Sequence, residues 1–316
     1  MIPVVTGKNS NIVPATPDAI ATAAGILRRG GLVAFPTETV YGLGAHALDP
    51  VAVRKIFAAK ERPDWDPLIV HVCDIAMAEA LAFDVPEDLT KRFWPGPLTL
   101  VLKKRPHVPA EVTAGLDTVA LRMPRHPVAV ALLRAANLPV AAPSANLFGR
   151  PSPTRAEHVA ADLGDRVDLI LDAGPTEIGV ESTILDLTQS PPVILRPGGV
   201  PREQLGDVTV SNDRRVLAPG MTVKHYSPRA RVELFDGDLD AQLAALNQRV
   251  DELTRAGQSF RILINQADND WLAQHLYAQL RQFDAENVDV ILCTMPPADG
   301  IGLAVRDRLR RAAGIP

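Results

Sequence analysis

Cysteine is almost missing from this chain: Cys73 and Cys293 are the two among 316 residues. They sit far apart in separate apolar runs, which excludes a disulfide framework and cysteine-based metal spacing, and both read as buried strand residues. Aromatic residues make up 4% and are not interleaved with basic ones, which argues against a base-stacking nucleic-acid platform as the main role. No charge of one sign dominates. A net charge of -4 gives no global attraction to nucleic acid or to an anionic membrane, so any phosphate site must be local. Long apolar runs are missing too. Residues 1–18 lack a charged segment followed by an apolar core, and the stretch 128–143 is broken by Arg134, Asn137 and Pro139. A soluble cytoplasmic protein is the expectation. No Gly-x-Gly-x-x-Gly turn follows Phe235 or Ile264, and Ser144 lacks a Gly-x-Ser-x-Gly elbow, so neither a dinucleotide site there nor serine hydrolysis is supported.

What is present is 47% hydrophobic content over a length that favours two domains. A helical pattern from Pro17 ends at Gly30-Gly31, and 32–36 then reads as a buried strand that empties into Thr37-Glu38-Thr39. Further strands are predicted at 68–73, 98–103, 118–123, 140–142, 168–171, 183–187 and 193–195, with helices between several of them. Mixed short and helical connections imply an α/β domain with a mixed sheet over residues 1–205. Residues 206–230 have no sustained hydrophobic period and contain Ala218-Pro219-Gly220 and Lys224-His225-Tyr226-Ser227-Pro228, which reads as a linker or lid. Over 231–316 strands and helices alternate three times, the mark of a small parallel doubly wound unit.

The segment 49–60 reads as a helix with Asp49 as N-cap, Pro50 in the first turn, and Val53, Ile56 and Phe57 at helical spacing. Lys60 continues that apolar stripe, so its stem points toward the packed side, while Pro63 stops the helix and leaves Arg62 on the exit loop. Arg62 on such a loop is expected to be removable with little loss of fold. A snorkelling lysine at a helix C-terminus would also fit these four residues. Together with Ser144-Ala145-Asn146, two fixed cations and two short polar groups suit a polyphosphate. On the strand 118–123, alternation puts Thr118, Ala120 and Arg122 on one face and Val119, Leu121 and Met123 on the other.

In order along the chain come Pro36-Thr37-Glu38-Thr39-Val40-Tyr41-Gly42-Leu43-Gly44, Lys60-x-Arg62-Pro63 with Pro67-Leu68, and Trp94-Pro95-Gly96-Pro97-Leu98-Thr99. Arg122-Met123-Pro124, Pro143-Ser144-Ala145-Asn146, Gly179-Val180-Glu181-Ser182-Thr183, Arg196-Pro197-Gly198 and His225-Tyr226-Ser227-Pro228 follow. Over nearly the whole chain these motifs resemble the threonylcarbamoyl-AMP synthases of the YrdC-like family, in the longer form with an extra C-terminal Rossmann-like domain. The resemblance implies a YrdC-like twisted mixed-sheet domain, a linker, and a small Rossmann-like parallel α/β domain. It also implies synthesis of threonylcarbamoyl-adenylate and pyrophosphate from L-threonine, bicarbonate and ATP with Mg2+. That product would pass to a tRNA threonylcarbamoyl transferase.

By the same resemblance Lys60, Arg62, Ser144 and Asn146 form the catalytic phosphate-binding tetrad. Asp64, Thr118, Ser152, Arg196 and Tyr226 join them in ATP binding. Thr37, His71, Arg122 and Ser182 match positions that hold threonine, with the arginine fork on its carboxylate. His71 is equally readable as a strand histidine satisfied in the core. Asp66 departs from the family, which more usually has asparagine before Pro67-Leu68; its charge is tolerable beside phosphates only if it faces Mg2+, pairs with Arg62 or points away. An RNA-binding module of the same fold and an adenylating enzyme for another carbamoylated amino acid are the competing readings.

Overall fold

The structure, a computed structural model, describes residues 11–211, 219, 225–264 and 268–315. The expectations placed on 212–218 and 220–224, including Lys224, lie outside the described residues.

In chain order the first unit runs β1 (Ile12–Pro14), α1 (Pro17–Arg28), β2 (Val33–Pro36), β3 (Tyr41–His46), α2 (Pro50–Lys60), β4 (Ile69–His71), α3 (Ile75–Leu81), α4 (Glu87–Phe93) and β5 (Leu98–Lys103). It continues with α5 (Ala110–Thr113), β6 (Thr118–Arg122), α6 (Pro127–Ala136), β7 (Val140–Ala141), α7 (Ala156–Leu163), β8 (Leu169–Asp172), β9 (Thr183–Asp186), β10 (Val193–Arg196) and β11 (Thr209–Val210). These strands form one mixed 11-stranded sheet in the order β1-β8-β2-β3-β7-β4-β6-β5-β9-β10-β11.

The helices form where the apolar spacing and caps direct them. The Asp49 side chain accepts from the Val51 amide, Pro50 opens α2, and Ala52, Val53, Ile56, Phe57 and Lys60 make its buried stripe. Glu61, in the left-handed region at φ 53°, closes it. On the opposite face of the sheet, Ala23, Ala24 and Leu27 of α1 meet Ala129, Leu132 and Leu133 of α6 in one cluster; each such leucine contributes about 1.5–3 kcal/mol by leaving water. The alternation in β6 is as the sequence requires. Val119 and Leu121 enter the larger core, while Ala120 packs with Ile69, Val101, Ile184 and Leu195 on the other face.

Two differences have clear causes. Strand β3 is not apparent from the residues because Gly42 and Gly44 interrupt its apolar pattern. A Cβ on Gly44 would lie 2.8 Å from both Phe35 Cε1 and Val140 Cγ1, so only glycine fits between its neighbours. Cys73 is not a buried strand residue, in contrast to Cys293. Strand β4 ends at His71 and Asp74 caps α3 by accepting from the Met77 amide, leaving Cys73 half-buried in the connection, where its thiol donates to Asp74 Oδ2 at 3.4 Å.

The second unit comprises β12 (Arg231–Phe235), α8 (Leu239–Arg255), β13 (Phe260–Leu263), α9 (Asn269–Ala285), β14 (Val290–Thr294) and α10 (Gly302–Ala312). Its three-stranded sheet is parallel throughout, with β14 in the centre. That strand is buried along its length because Val290 and Leu292 face α8 while Ile291 and Cys293 face α9 and α10. Among the described residues no helix is long and apolar enough to cross a membrane.

Candidate active site

Strand ends and their turns build the pocket. After Pro36 the Thr37 hydroxyl donates to the Val40 carbonyl at 2.7 Å and accepts from the Thr39 and Val40 amides, folding a tight turn. The amides of Ile178 and Gly179 bond the carbonyls of Glu38 and Thr39, tying this turn to the segment before β9. After β7, Ser144 bridges Gly42 and the Ala145 amide bonds the Tyr41 carbonyl, bringing Ser144 beside the same turn. Gly198 lets the turn after β10 lie against 181–183: a Cβ there would come within 2.3 Å of the Glu181 carbonyl oxygen.

At the end of α2, Lys60 is 1% exposed. Its ammonium donates to the carbonyls of Ser144 and Asn146, each at 2.5 Å. Burial, reinforced by the Arg62 charge, holds its pKa well below the usual lysine range, against the pull of Asp162 and Asp66. Arg62 folds its own loop around itself, donating to the carbonyls of Asp66 and Pro67 and approaching Asp66 Oδ1 at 2.8 Å. Asp66 is wholly buried, and burial raises its carboxyl pKa despite Arg62, Lys60 and Arg196. Of the three orientations open for Asp66, pairing with Arg62 is the one observed.

The opposite wall is built on β4 and β6, whose parallel register sets His71 beside Arg122. The Arg122 fork spans Glu38 Oε1 at 2.7 Å and Thr39 Oγ1 at 3.0 Å, while its Nε donates to the Gly96 carbonyl. Glu38 also accepts from the Arg125 amide; Arg122 and these bonds overcome the upward push of burial and hold its pKa below the ordinary value. Burial, then the Arg122 charge, lowers the His71 pKa to about 3, so the imidazole is neutral near pH 7. Arg196 donates to the Ser182 carbonyl at 3.0 Å, the Ser182 hydroxyl at 3.2 Å and the Pro219 carbonyl at 2.9 Å. Tyr226 is 1% exposed with its backbone in the left-handed region at φ 58°, an uncommon conformation for an aromatic residue, and its ring closes the pocket beside His225.

Eight of the expected residues line one cavity: Thr37, Arg62, His71, Arg122, Ser144, Ser182, Arg196 and Tyr226. Lys60, Asn146 and Ser152 are buried behind the wall. Lys60 is bonded to Ser144 and Asn146, the Asn146 amide donates to the Leu147 and Arg150 carbonyls, and Ser152 donates to Glu181. Two residues are not brought in. Asp64 is exposed on the 62–67 loop, and Thr118 lies half-buried at the start of β6, about 13 Å along the strand from Arg122. Thr39, Glu181 and His225 also line the cavity and Glu38 braces Arg122; the signal for them in the sequence is membership in the same short motifs. The cavity these residues line has a volume of about 40 Å3, below the several hundred cubic ångströms typical of a ligand pocket.

Among the described residues no group of three or more His, Cys, Asp and Glu side chains could hold a metal ion. Asp66 Oδ2 and Asn146 Oδ1 are buried without hydrogen-bond partners. This donor set offers no cage but fits a Mg2+ that arrives with its own phosphate and water ligands.

A mixed sheet that gathers buried cations and short hydroxyl and amide donors around one pocket defines an α/β protein with a concentrated cationic site. A family model named for Sua5, YciO and YrdC proteins, described as telomere recombination, matches residues 25–198, and one described as threonylcarbamoyl-AMP synthase, C-terminal domain, matches residues 200–314. The chain belongs to this Sua5/YciO/YrdC family. It is 45% identical to the threonylcarbamoyl-AMP synthase of Pyrococcus abyssi, covering 93% of this chain and 94% of that protein. Identity to the Bacillus subtilis threonylcarbamoyl-AMP synthase is also 45%, over 93% of each. The crystal structure of P. abyssi Sua5 complexed with L-threonine superposes with a TM-score of 0.92 at 43% identity over 96% of both chains.

The buried pairing corrects the expectation that Arg62 can be removed with little loss of fold. Arg62→Ala strands the Asp66 charge and is expected to lower stability by about 3 kcal/mol. Asp66→Asn, whose amide oxygen can still accept from Arg62, is expected to keep ATP turnover within about tenfold, or 1.4 kcal/mol. The double substitution should recover stability without turnover, as read by urea unfolding and pyrophosphate release. Equal stability losses in the single Arg62→Ala and double variants would contradict the pairing.

His71 adds a pH dependence. Its folded pKa lies below its ordinary 6.5, so the unfolded chain binds the extra proton first; its contribution is complete above 6.5 and lost as pH falls toward about 3. His71→Gln should flatten the stability profile over that window, and an unchanged slope would remove His71 as its source.

Proposed function

We propose that the chain is an L-threonylcarbamoyladenylate synthase, a nucleotidyltransferase that joins L-threonine, bicarbonate and ATP and releases pyrophosphate. The observation that carries this reading is the convergence of Arg62 and Arg196 with Arg122 on one cavity, backed by Lys60. The first two and Lys60 suit phosphates; the Arg122 fork, beside Thr37, His71 and Ser182, suits an amino-acid carboxylate.

Threonine amine attacks bicarbonate, whose C–OH bond breaks to release water with the amine proton, or CO2 with loss of that proton to solvent, and leaves the carbamate. A carbamate oxygen then attacks the α-phosphorus, and the bond to the pyrophosphate oxygen breaks. No protein nucleophile is needed, so Ser144 acts as a donor to phosphate together with Asn146. Orientation of the reactants, worth about 7–11 kcal/mol in favourable cases, and charge stabilisation carry the rate. The donors engage phosphate by exchanging the contacts they make in the closed pocket: Lys60 leaves carbonyls, Arg196 leaves Pro219, and Arg62 shares its fork with Asp66. Mg2+ bound to the triphosphate would offset charge on the departing pyrophosphate. Neutral His71 can take or give a hydrogen bond to the amino acid without adding charge.

In this reading the first unit performs the chemistry, Tyr226 and Pro219 cover the pocket and the second unit holds that cover in place. Tyr226 would exclude water from a mixed anhydride that hydrolyses readily. The adenylate then passes, in the cytoplasm, to a tRNA threonylcarbamoyl transferase.

The test is incubation of the protein with ATP, bicarbonate and each of several amino acids, followed by mass identification of the adenylate. Threonine should give the dominant carbamoyl-adenylate. A dominant product from another amino acid, or pyrophosphate release indifferent to amino acid, would contradict the reading.

A further inference from the structure

Glu181 has no substrate role in the reading above, and it is one of the points where the two units meet. It lines the cavity and is 5% exposed. Its Oε1 accepts from Ser152 Oγ at 2.5 Å and from the Tyr277 hydroxyl at 3.2 Å; its Oε2 accepts from the same hydroxyl at 3.0 Å and from Arg308 Nε at 2.7 Å. Burial pushes its carboxyl upward, but Arg308, Arg196 and the Ser152 hydrogen bond overcome this and hold its pKa down to about 2.

Arg308 and Tyr277 come from the other unit, on α10 and α9. Arg308 is 1% exposed although it belongs to a charged residue type, because it occupies the buried stripe of α10 with Ala304, Val305, Leu309 and Ala312. Its guanidinium also donates to the Pro197 carbonyl at 2.9 Å, pairs with Asp307, and stands 5.0 Å over the Tyr226 ring. The Tyr277 ring packs against Tyr226 at 5.6 Å between centroids. At Gly179 the first unit lies directly on α9: with φ +83°, a Cβ there would come within 2.3 Å of the Ala273 carbonyl oxygen. The contact is therefore close-packed as well as charged.

We propose that Arg308 and Tyr277 are positioning residues for adenylate formation: through Glu181 and the ring of Tyr226 they hold the pocket closed over the reactants. The inference rests on the synthase reading above and adds a role for the second unit. A polar tripod on Glu181 is directional, so it sets where Val180 and Ser182 stand; the Arg308 contact with Tyr226 sets where the closing ring stands. Loss of Arg308 leaves a buried carboxylate held by hydroxyls alone, and the wall relaxes toward a wetter state. Water entering then attacks the adenylate at phosphorus, giving AMP and the carbamate of threonine.

The experiment compares the wild-type protein with Arg308→Gln, Arg308→Lys and Tyr277→Phe, measuring pyrophosphate released per threonylcarbamoyl-adenylate recovered, together with Tm. Wild type should give a ratio near one. Arg308→Gln should raise the ratio at least several-fold, Arg308→Lys less, and Tyr277→Phe about twofold. A role confined to stability lowers Tm but leaves the ratio at the wild-type value in every folded variant, and that result overturns the proposal. Should Arg308→Gln fail to fold, Tyr277→Phe, which removes a single oxygen, decides by the same ratio. Failure of the synthase reading is distinct: wild type itself then makes no adenylate, and this inference falls with it.

Discussion

Lys60 carries its ammonium wholly out of water at the end of α2 and rests it on two backbone carbonyls, those of Ser144 and Asn146. A desolvated cation costs several kcal/mol unless it is bonded, and its bonds here tie the end of a helix to the turn after β7. Around that tie the other cations are arranged in the same manner. Arg62 takes Asp66 and its own loop carbonyls, Arg122 takes Glu38 and Thr39, and Arg196 takes Ser182 and Pro219. Four positive groups are thereby held close together without ligand, each at a defined position.

In the proposed reading, the contacts these cations make without ligand compete with substrate. Every cation that would grip phosphate or carboxylate is already engaged, two of them by partners that can be exchanged: Lys60 with carbonyls, Arg196 with the carbonyl of Pro219 in the connecting segment. Phosphate binding would thus replace bonds from cations to neutral carbonyls with bonds to an anion. Asp66 fits the same logic as an internal counter-charge to Arg62. The second unit contributes because Tyr226 and Glu181 face its helices α9 and α10.

Much of this was legible in the residues. The helix containing Lys60 follows from its cap, its proline and its spacing, and the inward aim of Lys60 from its place in an apolar stripe. Central strands were readable as apolar runs, and the facing of Arg122 from period-two alternation. Contacts between distant segments were not. Glu181 and Arg308 are 127 positions apart, and no local pattern pairs them. The signal that could have been used is of the same kind as for Lys60: Arg308 interrupts the apolar stripe of its helix, so it needs a buried partner. Strand β3 was hidden because close packing at Gly44 demands the residue that local strand preference disfavours. Asp64 and Thr118 show the converse: matched by motif, they do not line the cavity, since a sequence match does not fix where a side chain stands relative to the pocket.

The most direct test is a crystal structure with a non-hydrolysable ATP analogue and L-threonine bound together. The account predicts the triphosphate against Lys60, Arg62 and Arg196, with the Lys60 ammonium drawn off the Ser144 and Asn146 carbonyls and the threonine carboxylate on Arg122. A triphosphate bound elsewhere, with Lys60 still on those two carbonyls, would contradict it.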